Sequence, residues 1–230
     1  MMYAPDYVKI IGVKLMLVTF LGGIIYGGLR LLLYFAQEDR EVDNQWINTH
    51  CQHYLWICLL CGEIVYFLFL DNQIYCSAWD WTMNEGMLLG ILFSVLASCL
   101  IMACITDLKY CMVYNYVWWI GGGGILGWLL FIENAHLREV LVFALLQELF
   151  FCHMYGKADC HAFVVCSLAM TTLGLGLREY LIHMLLAFGV LAVVQAVHKN
   201  INKKGNLKAA VPFLPYITIT FWISLLFLAA

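Results

Sequence analysis

Eight stretches of this 230-residue chain stay apolar over lengths that suit a lipid surrounding better than any core the chain could build in water. A bilayer crossing takes about 20 apolar residues, fewer where flanking groups reach back to the interface. The stretches are Ile10–Phe35, Tyr54–Leu70, Met87–Ile105, Met112–Ile132, Val140–Met154, Ala162–Leu177, Tyr180–Val197 and Val211–Ala230, with the fifth and sixth the shortest. Only 12% of residues are charged, against about a quarter in an ordinary soluble domain. The fold class expected is all-α, a polytopic membrane helix bundle of about eight transmembrane helices forming one integral domain over 1–230. A formal charge of −3 with no basic tract excludes a nucleic-acid partner. The ten cysteines lie mostly inside apolar runs, where Cys acts as a small hydrophobe, so no disulfide framework is implied. Met1–Lys14 has no small-residue cleavage site and leads straight into the first apolar run, which reads as a retained helix.

Between the runs lie a polar segment, Gln37–Gln52, an acidic aromatic segment, Asp71–Glu85, and a basic one, His198–Lys208. Eight crossings put both ends of the chain on one side, and short cytoplasmic segments collect Lys and Arg. With His198–Lys208 cytoplasmic, Lys199, Lys203, Lys204, Lys208, Arg30, Arg40, Lys109 and Lys157 share that side, against Lys9, Lys14, Arg138 and Arg178 on the other. Both ends are then expected outside. Gly121–Gly124 reads as a site of close helix packing or a kink rather than a phosphate loop.

Ionisable groups in or at the ends of membrane helices are costly, so each needs a reason. Glu133, Glu139 and Glu179 stand beside Arg138 or Arg178 near helix ends and read as solvated interfacial pairs. Glu63 and Glu148 lie deeper and read as interhelical hydrogen-bonding groups, Glu148 the better placed to line a polar cavity. Asp107 and Asp159 differ. Asp107 ends the third crossing, the fourth leaves that face and the fifth returns to it, so Asp159 emerges where Asp107 began. Two carboxylates held close cannot both ionise cheaply. They share a proton, leaving a base to activate water and an acid to protonate a departing amine, which is the chemistry of an aspartic protease.

Three local patterns sharpen that reading. Asp107-Leu-Lys-Tyr-Cys-Met-Val-Tyr114-Asn115 resembles the prepilin peptidase family's aspartate, basic stretch and Ile-Pro-Asn opening the next helix. Tyr155-Gly156-Lys157-Ala158-Asp159 is similar to that family's Gly-x-Gly-Asp, and Lys208-Ala-Ala-Val211-Pro212-Phe213-Leu214-Pro215-Tyr216 to its basic loop and Ile-Pro-Phe-Gly-Pro. The motifs fall within 86–230. The resemblance implies eight helices in the bacterial cytoplasmic membrane, a cytoplasm-facing catalytic pair, Asp107 and Asp159, and Gly156 and Ala158 as motif residues. The substrate it implies is a prepilin-like or pseudopilin-like protein with a basic leader, cut beside its membrane helix. Lys109 and Lys157 flank the pair and either lower an aspartate's pKa or anchor helices at the interface, while Glu148 would favour a basic leader.

Tyr114 stands where the family has proline, and Ala158 where it has the second glycine. If position 158 needs a positive φ, alanine is strained there; if its backbone is ordinary, a methyl merely narrows the cleft. Larger family members carry two Cys-x-x-Cys pairs that accompany methylation. Here only Cys58-x-x-Cys61 occurs, inside an apolar run, so neither a zinc site nor methyl transfer is expected. Cys152, His153, Asp159, Cys160 and His161 cluster without a known ligand spacing, and no metal or cofactor is assigned. Two other classes compete: a small ion-coupled transporter, which would show inverted repeats and midplane acids, and a non-catalytic scaffold of a pilus or secretion system.

Overall fold

The computed structural model describes residues 4–38, 44–71, 83–131, 136–201 and 211–229. Those residues are helical but for short connections, with no strand among them. Lipid offers no hydrogen bonds to the backbone, and a helix satisfies its own. The elements are α1 (Ala4–Glu38), α2 (Asn44–Tyr66, continued by a π-helical turn Phe67–Asp71), α3 (Met83–Tyr110) and α4 (Asn115–Phe131). They are followed by α5 (Leu137–Leu146, continued by a π-helical turn Gln147–Phe151 and a last turn Cys152–Tyr155), α6 (Lys157–Thr172), α7 (Leu177–Ile201) and α8 (Leu214–Ala229). All three prolines fall at helix starts, Pro5 in α1 and Pro212 and Pro215 at α8, where a missing N–H removes no helical bond.

Each apolar run of the sequence falls on one of these helices. Three are long and apolar enough to cross a membrane, over Ile11–Ala36, Glu85–Tyr110 and Leu177–Val197; shorter apolar stretches occupy Tyr54–Leu70 and Leu214–Phe227. One boundary differs from expectation: the polar segment Gln37–Gln52 is not simply a connection, because α2 already begins at Asn44. Lys203, Lys204, Lys208 and Glu133 lie outside the described residues, as does most of Asp71–Glu85.

The chain divides into two compact units, Met1–Cys99 and Leu100–Ala230. In the first, α1 and α2 lie backbone to backbone. A Cβ on Gly62 would stand 2.8 Å from the Gly22 amide nitrogen, so only glycine permits this approach. Lys14 and Glu63 join the same two helices by an ion pair of 3.0 Å, with the Lys14 ammonium over the Tyr66 ring. Glu63 is thus interhelical, as its depth suggested, through a charge partner. Phe69 packs on Phe93, and Ser98 Oγ donates to the Ile25 carbonyl at 3.1 Å.

In the second unit, α6 is the central rod, touching α4, α5, α7 and α8. Ten of its sixteen residues are buried. The glycine run works as close packing: Gly121 and Gly122 are buried, and a Cβ on Gly122 would meet Val165 of α6 at 3.2 Å.

Candidate active site

Asp107 occupies the last turn of α3. That helix stops because Cys111 turns left-handed, at φ 53°, while its N–H still reaches the Asp107 carbonyl at 3.0 Å. Four residues later Asn115 opens α4, the spacing that the motif implies. The carboxylate of Asp107 is claimed from far along the chain: its Oδ2 accepts the Leu214 N–H at 3.2 Å. Leu214 is the first residue of α8, and the first N–H groups of a helix have no partner within it. Pro215 lacks one such donor and Asp107 satisfies another. The Phe213 carbonyl meanwhile takes the first helical bonds, from Tyr216 and Ile217. A carboxylate at a helix N-terminus also meets the positive end of its dipole.

Asp159 reaches its place by a different local device. α5 ends at Tyr155 and α6 begins at Lys157, so the chain changes direction at the single residue Gly156, with φ 110° and ψ 155°. That region is open essentially to glycine alone. A Cβ there would find only Asp159 Oδ2, at an ordinary 3.8 Å, so the requirement is conformational rather than spatial. Asp159 follows in the first turn of α6, again at a helix N-terminus. Ala158 lies inside that turn with a negative φ, as Cys111 is the only non-glycine residue with positive φ among those described. Of the two possibilities for position 158, the ordinary backbone is the one found. The methyl carries no strain.

The two carboxylates come within electrostatic reach of each other. Asp159, which precedes the apolar run beginning at Ala162, has its pKa raised from 3.8 to about 7, first by burial and then by the negative charge of Asp107. Asp107 is likewise only partly exposed.

Two further groups lie on the Asp159 side of the site. The Tyr155 hydroxyl donates to Gln147 Oε1, and the ring meets Phe163, Phe188 and Phe213 at centroid distances of 5.8, 5.3 and 6.0 Å. Burial drives the phenol's pKa upward, so it remains a donor. Gln147 is fully buried at the start of the π-helical turn. Its amide donates toward Met184 Sδ at 3.4 Å, and its carbonyl accepts the Cys160 thiol. Inserted π turns recur where a side chain must be redirected. Tyr155 entered the sequence reading only as the residue before the motif glycine, and Gln147 not at all. A lone glutamine in an apolar run was the available signal, since a buried amide is costly unless paired.

The remaining expected residues are placed as follows. Lys109 and Lys157 are exposed, Lys109 above the Tyr110 ring, and neither is among the causes of the Asp159 shift, which runs upward. Glu148 is exposed on the π turn, 4.0 Å from His161 Nε2. Cys152 contacts the Glu148 carbonyl and His153. Glu139 and Glu179 correct an expectation, since arginines are not the partners seen at their carboxylates. Glu139 bonds His136 at 2.9 Å and the Leu177 N–H at 2.5 Å, and Glu179 accepts the Gly176 N–H at 3.0 Å, so both satisfy donors at the start of α7. The Leu177 N–H and His136 together hold the Glu139 pKa down. The reason is again the unpaired N–H groups of a helix start, which a carboxylate satisfies better than a solvated guanidinium rewards it. Set against models of known families, curated proteins and solved structures, the chain matches none of them.

Proposed function

We propose that this protein is an aspartic endopeptidase of the prepilin peptidase type, embedded by eight crossings in the bacterial cytoplasmic membrane with its aspartates toward the cytoplasm. The observation that carries the reading is the pair itself: Asp107 and Asp159, each at a helix N-terminus, close enough for one charge to oppose the other. The Gly156 backbone and the opening of α4 at Asn115 add support at motif positions.

In the proposed reaction the ionised member of the pair takes a proton from water as the water oxygen attacks the scissile carbonyl carbon. The protonated member hydrogen-bonds the carbonyl oxygen as charge develops there. The tetrahedral intermediate then collapses, the C–N bond breaks, and a carboxyl group donates a proton to the leaving amine. One proton has entered from water and one has left with the new amino terminus, so the pair is restored. The substrate's helix must unwind at the cut, and extended backbone is tolerated only where protein or water receives it, so the aspartates need a wet cleft. The substrate proposed is a prepilin-like protein whose basic leader reaches the aqueous face.

The test is cleavage of a co-expressed prepilin-like protein by the wild type, Asp107→Asn and Asp159→Asn, with membrane levels checked by blot. Loss in both variants is expected. Cleavage that survives both substitutions sinks the mechanism, and no cleavage by the wild type with any of several such substrates turns the reading toward a non-catalytic scaffold.

A further inference from the structure

We infer that His183 is a positioning residue for the aspartate pair, its imidazole fixing the axial position of α8 against α7 so that the Leu214 N–H stays on Asp107 beside Asp159. The inference rests on the peptidase reading above. His183 lies within α7 and is 1% exposed. Its Nε2 stands 3.0 Å from the Ile217 carbonyl oxygen, and since a carbonyl only accepts, that nitrogen carries the hydrogen. Ile217 follows Leu214 by one turn of α8, and Leu214 gives its N–H to Asp107. The same imidazole meets Phe163 edge-on at 5.5 Å, and Phe163 follows Asp159 by one turn of α6. One ring therefore abuts both helices a turn inside the site.

Filling space does not explain the choice of residue. Between Phe163 and Phe221 a leucine or phenylalanine would avoid the cost of burying a polar ring. What histidine adds is direction. Apolar ridges can re-seat along a neighbouring helix, whereas a hydrogen bond to one carbonyl fixes the axial position. A slide of α8 by about 1 Å would draw the Leu214 N–H off Asp107, a displacement of the size that costs an active site about a hundredfold. The Ile217 carbonyl also accepts Thr220 Oγ1 at 3.1 Å.

The test uses the full chain in lipid nanodiscs. His183→Met is close in volume and lacks a donor, His183→Asn keeps a donor that stops one methylene short, and His183→Gln keeps one that reaches. For each, kcat and KM on a prepilin-like substrate are measured, together with the pH titration of the protonated-carboxyl infrared band that Asp159→Asn abolishes. The Met and Asn variants are expected to lose kcat about tenfold or more with KM held. Their band midpoint should move by about half a pH unit or more, and the Gln variant should restore both. Unchanged kcat and unchanged band in the Met and Asn variants overturn the inference, as does an equal loss in the Gln variant. If the wild type cleaves nothing, the peptidase reading falls by itself and the band decides the positioning role. Should the Met variant fail to accumulate, the Asn variant answers the same question.

Discussion

Burial, and then the charge of Asp107, raise the Asp159 pKa to about 7, and that shift has a sign. The folded chain binds this proton more tightly than an unfolded one, whose pKa is 3.8. Between about pH 4 and pH 7 the folded state therefore holds more protons, and stability falls as pH rises through that window. Asp159→Asn should raise the melting temperature at pH 8 and change it little near pH 4; an equal change at both ends would contradict the assignment. Cleavage should likewise fade as pH climbs past about 7, since the shared proton leaves. Gly156→Ala forces a methyl into a backbone region it rarely enters, at a cost of about 1–3 kcal/mol. Processing should drop sharply. Ala158→Gly should keep cleavage while losing at most about 1 kcal/mol of helix stability. The aspartates and Gly156 were legible in the sequence because their residue types are costly or permissive wherever they occur. The Asp107–Leu214 bond and the Gln147–Tyr155 bond were not, because each depends on tertiary placement that no local spacing encodes.

Among the elements, α1 and α2 offer the cleanest test of packing. A Cβ on Gly62 would press on the Gly22 amide nitrogen at 2.8 Å and Cα at 3.0 Å, both backbone atoms that cannot rotate aside. Gly62→Ala should destabilise by about 1–3 kcal/mol. Gly22→Ala should cost less, since its nearest contact is the flexible end of Leu59, and Gly23→Ala, which meets nothing within 4 Å, should be neutral. Equal effects at Gly62 and Gly23 in thermal unfolding would rule out the close approach. Hydropathy marked where the helices lie, since each apolar run falls on one. It did not show the π turns at Phe67–Asp71 and Gln147–Phe151, which alter the phase of a helix without altering its composition. Nor did it reach the left-handed Cys111, a residue type with no preference for that conformation.

For the whole molecule the sharpest expectation concerns sidedness. The eight crossings proposed above would return both ends of the chain to one face, and the lysines of His198–Lys208, taken as cytoplasmic, would put that face outside. Reporter fusions at the two ends should register non-cytoplasmic positions, while a protease site placed in His198–Lys208 should be cut only from the cytoplasm. Ends that report opposite faces would remove the eight-crossing arrangement and, with it, the shared face of Asp107 and Asp159.

The contact between Asp107 and Leu214 joins positions 107 residues apart, and so it also orders events in time. At about 5–20 residues per second, a ribosome needs several seconds to travel from one to the other. Throughout that interval α3 has been made and its carboxylate has no helix start to receive it. Both aspartates of the proposed pair are made once α6 has formed, but Asp107 gains the N–H that holds it only when α8 arrives, so the order of synthesis separates bringing the pair together from fixing it in place.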